Sequence, residues 1–134
     1  MITPEYRKEI RKIFYHYKTL LNIPKYWHVK IDIDENIKEY ANVEFDYDDK
    51  RFNIHINPKL NQDLDVLKDS ILHELTHVLF APASIRLDLL LKKIQCNEKV
   101  NYKVTKRKMM EYEEYLVNHI TKILIAQEKT YDKK

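Results

Sequence analysis

The sequence predicts an α+β domain, and three observations carry that prediction. Apolar residues at helical spacing open the chain, three short alternating segments follow, and helical spacing returns after Pro58. A length of 134 residues suits one hydrophobic core. No repeat, low-complexity tract or linker divides the chain, so residues 1–134 are read as a single domain.

Thr3 is placed to cap a first helix, with Pro4 at its first position. Ile10, Ile13, Phe14, Tyr17, Leu20 and Leu21 recur at helical spacing, and Asn22 and Pro24 end the helix near Leu21. From Trp27 to Ile33 apolar and polar residues alternate, as on a half-buried strand. Tyr40 to Tyr47 alternates less cleanly; Asp48-Asp49-Lys50 reads as a turn, and Phe52, Ile54 and Ile56 form a third strand ending at Asn57-Pro58. Hairpin-length connections predict an antiparallel meander, a sheet of three or four mainly antiparallel strands. Leu64, Leu67, Ile71, Leu75 and Val78 then fall on one helical stripe, which Ala81-Pro82 is expected to end. A shorter helix is expected over about 84–94. A last one over about 105–126 turns Tyr112, Leu116, Ile120 and Ile123 inward, and the tail from about 127 is expected to fray.

Composition removes several function classes. The balance of 24 basic against 21 acidic residues, a formal +3, gives no strong nucleic-acid signal. The densest basic run, Lys103 to Lys108, reads as a solvated loop or helix end. No apolar stretch reaches the roughly 18–20 residues of a membrane span, and Met1 to Glu5 does not begin a signal peptide pattern. Cys96 is alone, which excludes an intramolecular disulfide and a cysteine-built zinc ribbon and predicts a reducing, cytoplasmic location. Glycine is absent. That excludes Walker loops, dinucleotide-binding turns and serine-hydrolase elbows, whose backbones need it.

One segment carries chemistry: His73-Glu74-Leu75-Thr76-His77, an H-E-x-x-H run on the helix after Pro58. Residues four apart lie one turn above each other, so both imidazoles can reach one Zn²⁺. Glu74, about 100° round the helix, misses the metal yet meets a water held there, whose proton a carboxylate can take. In a shuffled chain of this composition the pattern arises about 0.02 times. The helical wheel sets His73 and His77 opposite the Leu67/Ile71/Leu75/Val78 stripe, away from the face where a core histidine would lie.

Two histidines need a third protein ligand. Glu113 lies within the apolar sector of Tyr112, Leu116, Ile120 and Leu124, where a carboxylate is costly unless paired or metal-bound, so Glu113 is the preferred ligand. Glu114, about 100° further round, is the alternative, and Asp88 and Glu98 are weaker candidates.

The stretch from Ser70 to Leu79 resembles the active-site helix of the zincin metallopeptidases, and Glu113-Glu114-Tyr115-Leu116-Val117 resembles the glutamate-bearing helix of gluzincins. In size and order of motifs the chain is similar to minimal single-domain metallopeptidases common in phage and prophage genomes, from Trp27 to about Ile125. The glycine often found within or after the motif is missing. The resemblance implies a minimal zincin-like core and hydrolysis of a peptide or protein substrate. Zn²⁺ would be held by His73, His77 and a glutamate, with Glu74 as general base. It also implies that Phe52–Ile56 is the edge strand along which an extended peptide lies. Two other classes compete: a non-catalytic zinc-binding module that engages a protein partner, and a DNA-linked zincin. His16, His28 and His55 read as ordinary surface histidines. His119, Tyr112 and Tyr115 are candidates for polarising a substrate carbonyl.

Overall fold

The computed structural model describes residues 2–46, 49–97 and 101–132. Tyr47, Asp48 and the weak ligand candidate Glu98 lie outside them. The architecture is α+β: α1 (Pro4–Leu20), β1 (His28–Ile33), β2 (Ala41–Asp46), β3 (Arg51–Ile56), α2 (Leu64–Asn97) and α3 (Tyr102–Asp132).

Helix α1 starts where its cap predicts, with the Tyr6 amide donating to the Thr3 hydroxyl at 3.1 Å. It ends in a Schellman motif. The Asn22 amide donates to the Thr19 carbonyl and the Ile23 amide to the Lys18 carbonyl, with Asn22 at φ 52°. That left-handed position usually falls to glycine; in a chain without any, asparagine is the residue that tolerates it best. Ile10, Ile13, Phe14 and Tyr17 are buried as expected, whereas Leu20 is exposed.

The sheet is mixed, not a meander. Its order is β1-β3-β2, with β1 parallel and β2 antiparallel to β3. Phe52, Ile54 and Ile56 are essentially fully buried, and the strand that carries them takes the centre, where it is covered from both sides. The segment expected to be the edge strand is therefore the middle one, and β2 is an edge. In register, Ala41, Val43 and Phe45 stand beside Ile56, Ile54 and Phe52 on the core face, while Asn42, Glu44 and Asp46 share the other face with His55, Asn53 and Arg51.

Because β1 and β2 are not neighbours, residues 34–40 must cross the end of β3. Two asparagines hold that crossing. The Asn57 amide donates to the Tyr40 carbonyl at 3.0 Å and its side-chain amide to the Ile37 carbonyl at 2.8 Å. Asn61, fully buried, donates to the carbonyls of Tyr40 and Asn57 at 2.7 Å each and accepts from the Ser70 hydroxyl at 2.6 Å. The Tyr6 hydroxyl donates to the Asn61 carbonyl at 2.9 Å. One side chain thus joins the crossing loop, the end of β3 and α2, with its polar atoms satisfied.

Asp63 caps α2, accepting from the amides of Asp65 and Val66. The helix then runs for 34 residues, straight through the expected stop. Pro82 lies inside it and has no N–H to give the carbonyl of Val78; the helical sequence beyond outweighs that single lost bond, so the two expected helices are one. Around the motif α2 is buried on most sides: Leu67, Ile71, Leu72, Leu75 and Val78, but also Ser70, Glu74 and Thr76. Helix α3 starts at an Asn101 cap and reaches Asp132, past the expected fraying point. Glu128 accounts for the extension, because its carboxylate meets the Tyr17 hydroxyl and the His16 ring at 2.7 Å each. The inward face of α3 carries buried Val117 and Thr121, with Ile120 partly covered; Tyr112, Leu116 and Ile123, expected inside, are exposed. No helix among the described residues is long and apolar enough to cross a membrane.

Replacing Asn61 by Ala removes the side-chain partner of the Ser70 hydroxyl and of the Asn57 carbonyl and leaves the Tyr40 carbonyl with the Asn57 amide alone. A loss of about 2–4 kcal/mol in urea unfolding is expected, against less than about 1 kcal/mol for Asn36→Ala on the exposed part of the same crossing.

Candidate metal centre

The site forms where the motif turn of α2 faces the middle of α3. His73 and His77 are successive turns of one helix face, with ring centroids 4.9 Å apart. Their neighbours in sequence are buried, so these two half-buried rings carry the polar surface that the motif turn offers to α3 and to a cleft of about 930 Å³. The cleft is walled by β2 on one side, through Ala41, Asn42, Val43 and Phe45, and by Glu113, Glu114 and Asn118 of α3 on the other.

Both imidazoles point their Nε2 atoms at one carboxylate. His73 Nε2 lies 2.8 Å from Glu114 Oε1 and His77 Nε2 lies 2.9 Å from Glu114 Oε2. Glu113 approaches His77 from its other nitrogen, with Oε2 3.0 Å from Nδ1, and its second oxygen accepts from the Ser84 hydroxyl. The residue preferred from sequence thus stands behind the histidine, while the alternative faces both rings. The apolar sector used to choose between them was drawn through Tyr112 and Leu116, and those residues are exposed.

The residues that could hold a zinc-type ion are His73, His77 and Glu114. Ligand atoms of His73, His77 and Glu114 all lie within 4.8 Å of one another. Tetrahedral bonds of about 2.0–2.1 Å imply a donor–donor spacing of about 3.4 Å, inside that limit, while the two imidazole–carboxylate distances, 2.8 and 2.9 Å, are those of direct ion pairs. A carboxylate on the Nδ1 of a ligating histidine fixes the ring and raises its basicity, which is the place Glu113 takes on His77.

Electrostatics separate the roles. Burial lowers the His73 pKa, favouring the neutral ring that a metal requires, although Glu114 and Asp69 pull the other way. Burial acts likewise on His77, but the hydrogen bond its ring donates to Glu113 and the charges of Glu74, Glu114 and Glu113 outweigh it, so its pKa is raised. The same hydrogen bond, with help from Ser84, holds Glu113 below the usual carboxylate range. Glu74 is 7% exposed, and burial, opposed by His77 but reinforced by Glu114 and Glu39, pushes its carboxyl up to about 7.

The other candidates are elsewhere. Asp88 is occupied by the Tyr102 hydroxyl, Lys92 and Lys106. His16 pairs with Glu128, and His55 lies 3.5 Å from Glu44 on the sheet face away from the core. His119 stacks on exposed Tyr115, and neither those two nor Tyr112 lines the cleft. Ser84, Asn57 and Asn61 were not singled out from sequence. The only available signals were a serine two residues after the proline and an asparagine at each end of the Asn57-Pro58 to Asn61 connection. Compared with known protein families, curated proteins and solved structures, the chain matches none.

The two glutamates separate in metal titrations. Glu114→Ala is expected to leave purified protein without stoichiometric zinc. Glu113→Gln keeps the ion but weakens binding about 10–100-fold, read by competition with a chromogenic chelator. The reverse ranking would return the ligand role to Glu113.

Proposed function

We propose that this chain is a zinc-dependent metallopeptidase in which His73, His77 and Glu114 hold the ion and Glu74 is the general base. The observation that carries the reading is the convergence of two helix-borne Nε2 atoms on one carboxylate, beside a buried glutamate, in a cleft edged by a strand. Zinc, when bound, polarises a carbonyl oxygen and lowers the pKa of water towards about 7.

The chain's own groups supply the remainder. Glu74, with its carboxyl raised to about 7, is matched to accepting a proton from attacking water and passing it to the departing nitrogen. Glu113 holds His77 through Nδ1, so that Nε2 stays turned into the site, and Ser84 holds Glu113. Strand β2 bonds to β3 along one edge only and lines the cleft. In this reading its other edge receives an extended peptide by strand addition, which the central strand Phe52–Ile56 has no free edge to do. The protein works in a reducing cytoplasm, in keeping with the single Cys96. In the competing reading, a non-catalytic zinc module, the ion would only tie α2 to α3, since its ligands come from both helices.

Glu74→Gln distinguishes them. The variant should bind zinc with unchanged stoichiometry while cleavage of a peptide library falls at least about 10²-fold. Equal cleavage by both forms would remove Glu74 from the chemistry, and no cleavage by either would favour the tether.

A further inference from the structure

The basic run Lys103–Lys108, expected in a loop or at a helix end, lies on the first turns of α3. Counting back from Glu114 at intervals of three and four, the same helix face carries Glu111, Met110, Arg107, Lys106 and Lys103. These residues line a shallow groove of about 410 Å³, and Glu114 belongs both to its lining and to that of the main cleft. The groove's lining is slightly basic, whereas that of the main cleft is strongly acidic. The cleft presents Glu39, Asp65, Asp69, Glu74 and both α3 glutamates against one lysine, Lys129. The groove presents three cations against Glu111 and the shared Glu114. Lys106 is held by Asp88 at 3.3 Å. Lys103 and Arg107 are exposed and make no ion pair among the described residues.

We infer that this stripe of α3 is a subsite for acidic residues of a peptide substrate, with Lys103 and Arg107 as its specificity-determining cations. The inference rests on the peptidase reading for the identity of the ligand and on the groove alone for its charge. Helix rise sets the spacing. Arg107 lies seven residues from Glu114, about 10 Å along the axis, and Lys103 eleven residues, about 16 Å. An extended peptide covers those distances in roughly three to five residues. A preferred substrate therefore carries Asp or Glu about three to five positions to one side of the bond over the site. A guanidinium beside exposed Met110 suits a carboxylate whose carbon stem needs apolar cover. Nucleic acid would also meet cations here, but the main cleft, which shares Glu114 with the groove, is lined by carboxylates that repel a phosphate backbone.

The test uses zinc-loaded Glu74→Gln protein, which does not consume the probe, and fluorescein-labelled decapeptides with three consecutive Asp at one end, beside Asn and Lys counterparts. Both chain polarities are made. For one polarity the Asp peptide should bind about tenfold tighter than the Asn peptide, with the advantage shrinking as salt rises. Adding Lys103→Glu and Arg107→Glu should abolish that advantage and pass it to the Lys peptide, with the circular dichroism spectrum and zinc content unchanged. Equal affinities for Asp and Asn peptides in both polarities overturn the inference, as does an acidic preference that survives the double reversal. Salt-sensitive binding of a 20-base-pair duplex that the reversal removes, without any peptide preference, overturns it too and gives the track to nucleic acid. Cleavage is read separately with wild-type protein and a randomised decapeptide library. Enrichment of Asp or Glu three to five positions from the cut supports the subsite in turnover. An intact binding preference without any cleavage leaves the subsite standing and removes the hydrolase reading.

Discussion

His77 is gripped from both sides, and the rest of the site depends on that grip. Adjacent residues of α3, Glu113 and Glu114, reach the two different nitrogens of one imidazole, at 3.0 and 2.9 Å. Neighbours on a helix diverge by about 100°, so two consecutive side chains can meet one ring only if the helix axis passes close to it with the pair straddling its plane. That requirement fixes the axial position and the rotation of α3 relative to α2. With α3 so placed, Glu114 also falls 2.8 Å from His73, and the contact between the same two helices becomes a three-residue cluster. Buried Val117 and Thr121, one and two turns further along α3, hold that docking by packing.

The opposite wall of the cleft is positioned by backbone accounting. Strand β2 stands at the cleft because the chain crosses the end of β3 to reach it, and such a crossing exposes carbonyls that must find donors. Asn57 and Asn61 provide them, and Asn61 passes the connection on to Ser70, three residues before His73. Strand and histidines are thereby registered through a single buried amide. Polar residues buried on α2 follow the same logic: Thr76 donates to the Leu72 carbonyl at 2.8 Å, so its place inside costs no unmade bond.

Local features of this fold were legible in the chain and long-range ones were not. The Thr3-Pro4 start, the three alternating segments and the start of the H-E-x-x-H helix depend on neighbours a few residues away, and each is found within about two residues of its expected place. Strand order depends on which strand can be covered on both sides. The complete burial of Phe52, Ile54 and Ile56 made β3 central and turned an expected meander into a mixed sheet. Pro82 signals a stop in isolation, but one missing hydrogen bond does not outweigh the helical sequence on either side of it. The argument that set Glu113 before Glu114 lost its footing for a related reason. It rested on an apolar face of α3 judged without its partner, and Tyr112 and Leu116 turned out to face solvent while Val117 faces α2. A helical wheel gives relative phase; the absolute phase comes from what the helix packs on.

The central claim is that His73, His77 and Glu114 surround one ion and leave it a free corner. X-ray absorption at the zinc edge, on protein purified with one equivalent of zinc, addresses it directly. The account predicts four nitrogen or oxygen neighbours at about 2.0–2.1 Å, with the multiple-scattering signature of two imidazoles and one scatterer that exchanges for added azide. A spectrum with no imidazole signature, or with a closed shell indifferent to azide, would contradict it.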